Sequence, residues 1–228
     1  METNQKKPLG PHLGILALLF TVFFNTGLSF VVSMSGKQAH FPGPWEPAQT
    51  ITTYFQIHPH DVLMCSFFQF IAAVPLALFA VTVMNRLWVL GNKSVGPYIA
   101  LMGGLITAIN VALSASILWV MAYPGIAQDA SVIRTLYYMA FAVGGVGYSV
   151  PLGLLIAGIS VSVGLMKLLP RWLVIIGLVI AFIGEASCLS LVVPNLLALI
   201  PLTRFPGFIW LVCVGFMLPK TVINKEPK

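Results

Sequence analysis

Charge is what this chain most conspicuously lacks. Asp, Glu, Lys and Arg together make up 8% of its 228 residues, against about a quarter in soluble domains, so a soluble fold with a solvated surface is excluded. Cysteine is scarce as well. Cys65, Cys188 and Cys213 all lie inside apolar stretches, where a thiol behaves as a small hydrophobe, and no disulfide framework follows. No metalloprotease H-E-x-x-H, nucleophile elbow G-x-S-x-G, P-loop or dinucleotide fingerprint occurs, which removes the chemistries that a sequence announces most openly. A voltage-sensor ladder and a selectivity-filter string are also missing, so ion conduction has no support.

What the chain has in abundance is hydrocarbon. Apolar residues account for 58% of it and the mean hydropathy is +0.96. A helix rises about 1.5 Å per residue and needs about 20 mostly apolar residues to cross a bilayer core of about 30 Å. Six stretches meet or approach that requirement: 13–34, 61–84, 97–121, 134–166, 171–193 and 202–218. The predicted fold class is therefore all-α: a polytopic transmembrane helical bundle of about six spanning helices, forming one integral membrane domain over residues 1–228. The fourth stretch is too long for one crossing. Its Gly144-Gly145-Val146-Gly147 string and Pro151 predict a kink or break near the middle. The sixth is short and places Pro206 near its first turn, where a missing N–H costs nothing.

The formal net charge is +6, but the basic residues are scattered between apolar stretches rather than gathered in a patch, so nucleic acid is excluded as a partner. Sorting Lys and Arg by alternate loops puts Lys6, Lys7, Arg86, Lys93, Lys167, Arg171, Lys220, Lys225 and Lys228 on one side and only Lys37, Arg134 and Arg204 on the other. By the positive-inside rule both termini are expected in the cytoplasm. The first apolar run is longer than the core of a signal peptide and no A-x-A-like site follows it, so it reads as a retained helix.

The longest connection, 35–60, carries Trp45 and then Ile51, Tyr54, Phe55 and Ile57 at helical spacing between two prolines. A short interfacial helix in this first outer loop is expected, with Trp45 and Tyr54 as membrane-belt anchors. His40, His58 and His60 lie in the same loop. The run His58-Pro59-His60-Asp61 offers two imidazoles and a carboxylate to a metal or an outer-face haem; the plainer reading makes Asp61 the N-cap of the second span.

Glu185 is the costliest residue, a carboxylate about 12 Å below the outer end of the fifth span. A charge near the bilayer centre costs at least about 2.5–3.5 kcal/mol, so such groups usually face a bundle interior or a wet cavity. Counting depth along the helices puts Asn25, Gln69 and Asn110 within about one turn of Glu185. Arg134 and Tyr148 of the fourth span could add a cation and a hydroxyl. The expected ligand-binding set is Glu185, Asn110, Gln69, Asn25, Arg134 and Tyr148, although Asn and Gln in membrane helices often do no more than hydrogen-bond a neighbour.

The passages 68–86 and 202–220 resemble stretches in uncharacterised six-helix bacterial inner-membrane proteins. The resemblance implies a bacterial inner-membrane setting and carries no activity. Three functions fit the whole reading. The first is a multi-pass protein with an outward-facing polar pocket around Glu185, which binds or transports a small or lipid-like ligand or serves as an accessory subunit. The second is an intramembrane enzyme or redox component with a metal or haem on the outer-face histidines. The third is a structural subunit of a membrane complex or homo-oligomer. Membrane lipids are the partners common to all three, and no cofactor is specified by the sequence.

Overall fold

The computed structural model describes residues 10–32 and 40–220, and eight α-helices run through them. These are α1 (Leu13–Val31), α2 (Ala48–Ile57), α3 (Pro59–Val89), α4 (Gly96–Met121), α5 (Ala130–Gly144), α6 (Val146–Leu165), α7 (Arg171–Ala186) and α8 (Leu199–Met217). Short 3-10 segments extend α7 over Ser187–Leu191 and lead into α8 over Pro194–Ala198. Six crossings result: α1, α3, α4, α5 with α6, α7 with its 3-10 extension, and α8 with its 3-10 lead, each long and apolar enough to traverse a membrane. The described residues contain no strand. The chain is a multi-pass membrane protein built as a six-crossing helical bundle.

The fourth crossing breaks where the glycines are. Helix α5 stops at Gly144, and Gly145 leaves the helical region with φ −93° and ψ −93° before α6 resumes at Val146. Two carbonyls lose their helical partners here. Tyr148 N–H turns to Gly145 O, leaving Gly144 O free, and Pro151 has no N–H to give Gly147 O. Both are satisfied from other helices: Arg204 Nη2 of α8 donates to Gly144 O, and Asn110 Nδ2 of α4 donates to Gly147 O.

Glycine sets how closely the helices approach. A Cβ on Gly103 of α4 would fall 2.5 Å from Leu155 N and 2.6 Å from Pro151 O of α6, and Gly158 of α6 sits equally close to the α4 backbone. At the end of the bundle far from α2, Gly14 and Gly215 let α1 and α8 touch backbone to backbone.

Buried apolar residues form two clusters. The larger fills the bundle from its far end to the level of Phe24, Val111 and Tyr148. The smaller, at the end carrying α2, joins Ile51, Tyr54 and Phe55 to Val31, Cys65, Leu118 and Tyr137.

Local expectations need correction at several points. Helix α3 begins at Pro59 and runs to Val89, well past 61–84, so its N-cap is His58 and Asp61 stands in the first turn. The Asp61 carboxylate faces His58 Nδ1 at 3.3 Å instead of capping backbone N–H groups. Helix α8 starts three residues earlier than expected, which carries Pro206 into its interior. Tyr54 is 7% exposed inside the smaller cluster and is no belt anchor, whereas Trp45 is 57% exposed. Residues 33 and 34 of the predicted first span, and Lys6, Lys7, Lys37, Lys225 and Lys228, lie outside the described residues.

Candidate functional site

A cavity of about 440 Å³ lies between the two apolar clusters. Its wall takes Phe24 and Leu28 from α1, Cys65 and Gln69 from α3, Val111 and Ser114 from α4, Tyr137 and Phe141 from α5, Tyr148 from α6, and Ile200, Pro201 and Arg204 from α8. Every crossing except α7 contributes. Phe41 and Trp45 cover it from the loop, and Leu197 and Ala198 edge it from the 3-10 segment before α8.

The cover is fastened by ordinary chemistry. Glu46 Oε1 accepts from Gly43 N–H at 2.6 Å and faces His40 Nε2 at 3.0 Å, which curls the 43–46 segment. Those contacts hold the Glu46 carboxyl below its ordinary range, the Gly43 bond being the larger cause. A Cβ on Gly43 would strike the Trp45 ring, so glycine is what lets the indole fold back. Tyr137 donates its hydroxyl to Pro42 O at 2.5 Å, and Phe41 packs edge-on against Tyr54, Phe55 and Tyr137. Burial within that aromatic group pushes the Tyr54 phenol up to about 12.

Among the described residues Arg204 is the cavity's one charged wall residue. Its guanidinium carbon sits 4.7 Å from the Tyr148 ring centroid and 5.2 Å from that of Phe24, a cation flanked by two π-faces. Nη2 is committed to Gly144 O, and Nε is occluded with no hydrogen-bond partner among the described residues. Among the described residues no carboxylate pairs with it. Tyr148 is completely buried, and its hydroxyl also lacks a partner among the described residues.

Of the six residues expected to bind a ligand, Gln69 and Tyr148 line this cavity. Asn25 donates back to Thr21 O of its own helix at 2.7 Å, and Asn110 serves the broken fourth crossing. Arg134 is exposed, its guanidinium 5.9 Å from the Tyr138 ring. Glu185 lies in the last turn of α7 at the α6–α7 seam, opposite Gly153, with Oε1 buried and without a partner among the described residues. It does not line the cavity. No protein-family model, no curated protein and no solved structure matches this chain. Geometry alone carries the functional argument.

The outer-loop histidines stay apart. His58 Nδ1 faces Asp61 Oδ2, while His60 is 77% exposed with Nδ1 3.8 Å from Asp61 Oδ1. Among the described residues no three His, Cys, Asp or Glu side chains gather as a metal site would require.

Arg204 is the residue that sequence reasoning passed over as a loop charge. Its signal was present: Leu196, Leu197, Leu199 and Ile200 precede it, and extending the last span across them puts an arginine inside an apolar helix.

Proposed function

We propose that the protein is a lipid-binding component of a bacterial inner membrane, with the α2 end on the outer side and both termini in the cytoplasm. The observation that carries the binding function is the cavity beneath Phe41 and Trp45. Its volume falls within the range of about 300–1,000 Å³ usual for small-molecule sites, and a mostly apolar wall with a few convergent polar groups is the usual make-up of such a site. A lipid-like molecule suits that wall better than a sugar or a nucleotide, whose many polar groups would find few partners among Phe24, Leu28, Val31, Leu118 and Phe141. The charge distribution supports the orientation: among the described residues the cations of the far end are Arg86, Lys93, Lys167, Arg171 and Lys220, and those of the α2 half are Arg134 and Arg204.

Native mass spectrometry of protein released from detergent tests the binding function. The wild type is expected to carry a lipid adduct that Leu28→Trp, which fills the wall, and Ala198→Trp, which blocks the edge, both lose. An adduct unchanged in both variants would remove the cavity from consideration as its site.

A further inference from the structure

We propose that the cavity selects anionic amphiphiles, with Arg204 and Tyr148 gripping a carboxylate or phosphate-monoester head while the chain lies among the aromatic residues. The inference rests on the lipid-binding function proposed above and specifies its ligand class.

An arginine within a membrane crossing is normally paired with an acid or a backbone carbonyl, or placed in a wet cavity. Arg204 has one carbonyl, Gly144 O, and two aromatic faces. The four described carboxylates are otherwise placed: Glu46 is tied to Gly43 and His40, Asp61 to His58, Asp129 caps α5 through Ser131 and Val132, and Glu185 sits on α7 outside the wall. The guanidinium therefore retains positive charge at a cavity wall, and only one of its five N–H donors is used among the described residues, by Gly144 O.

Tyr148 is the independent second observation. Its side chain is 0% exposed, lines the same cavity, lies against the same guanidinium and leaves its hydroxyl unpartnered. Buried hydroxyls are nearly always hydrogen-bonded, and an acceptor oxygen from a ligand would complete this one. A planar guanidinium matches carboxylate and phosphate oxygens in particular. A neutral head would leave the charge uncompensated.

The test uses full-length protein in nanodiscs of zwitterionic lipid, with quenching of Trp45 by bromine-labelled probes as the readout. Trp45 is one of five tryptophans, so Trp45→Phe identifies its share of the signal. The probes are a medium-chain fatty acid, its methyl ester and the alkyl phosphate of the same chain. The wild type is expected to bind the acid or the phosphate at least about tenfold more tightly than the ester, the strength of one charge-assisted hydrogen bond; the better of the two anions names the head. Tyr148→Phe should narrow that ratio, Arg204→Gln should abolish it, and Arg204→Lys should keep part of it. Because Arg204→Gln also removes the bond to Gly144 that braces the break, the wild-type ratio decides by itself. Equal binding of acid, phosphate and ester overturns the anion selectivity while leaving the lipid site standing; no quenching by any probe overturns the site itself.

Discussion

Replacing Gly103 with alanine tests the packing that frames the cavity. A Cβ at this position would lie 2.5 Å from Leu155 N and 2.6 Å from Pro151 O, and backbone atoms cannot swing aside as a side-chain tip can. Ordinary contact begins at 3.4 Å, so α4 and α6 would have to part locally by close to an ångström. Overpacking of this kind costs about 1–3 kcal/mol. A clash with backbone belongs in the upper part of that range, about 2–3 kcal/mol, and alanine's better helix propensity returns about 1 kcal/mol, leaving a net loss of about 1–2 kcal/mol and a fall in Tm of about 2–8 °C for a chain of this length. Gly158→Ala should behave alike, since its Cβ would meet Ala100 N and Gly96 O at 2.6 Å. The double variant should lose less than the sum, because one separation of the seam relieves both clashes. Gly207 is the control. Its nearest neighbours are Leu152 Cδ2 at 3.3 Å and Ile156 Cδ1 at 3.4 Å, the ends of flexible side chains, so Gly207→Ala should hold or raise Tm. Heating in detergent followed by fluorescence-detected size exclusion gives the Tm of the wild type and of the four variants. A Gly103→Ala protein that melts with the wild type, or a Gly207→Ala protein that falls as far, refutes backbone approach as the basis of this seam.

Acid should loosen the cover. The Glu46 carboxyl is held below its ordinary value of 4.5, so its contribution is complete above that value and is lost as pH falls below it through the folded value; Trp45 emission should shift across that interval in the wild type and stay flat in Glu46→Gln, and a shift of equal size in both proteins would assign the change elsewhere. Glu185→Gln should leave the lipid adduct intact and Tm equal or higher, because the carboxyl lies outside the cavity wall with Oε1 unpartnered; loss of the adduct would return Glu185 to the site. Reporter fusions should place the C-terminus in the cytoplasm and the 122–129 connection outside, and the reverse result would invalidate the charge-based orientation.

The fold was legible because the bilayer imposes one dominant rule: unpaired backbone cannot remain in hydrocarbon, so apolar runs of sufficient length become helices. The break in the fourth crossing was legible too, since Gly144, Gly145 and Gly147 supply the weak helix propensity it needs. Helix ends were less so. The stop at Val89 puts Arg86 and Trp88 inside α3, where hydropathy alone suggested an exit, and the 3-10 lead before α8 has no simple periodic signature.

The cavity was hidden for a more specific reason. Depth counting along ideal helices gives height in the membrane and says nothing about azimuth, so Asn25, Asn110 and Glu185 could share a layer with Gln69 and Tyr148 yet face different neighbours. The deciding contact joins Arg204 to Gly144 across 60 residues, and it exists only because α5 stops one residue before Gly145. A helix that ends inside a membrane presents an unsatisfied carbonyl and the negative end of its dipole, and a cation from another crossing answers both. Once held there, the same guanidinium faces the space that the break has opened between the two apolar clusters. The glycine break thus provides both the anchor for Arg204 and the gap it borders, so moving the break should displace the cation and the cavity together.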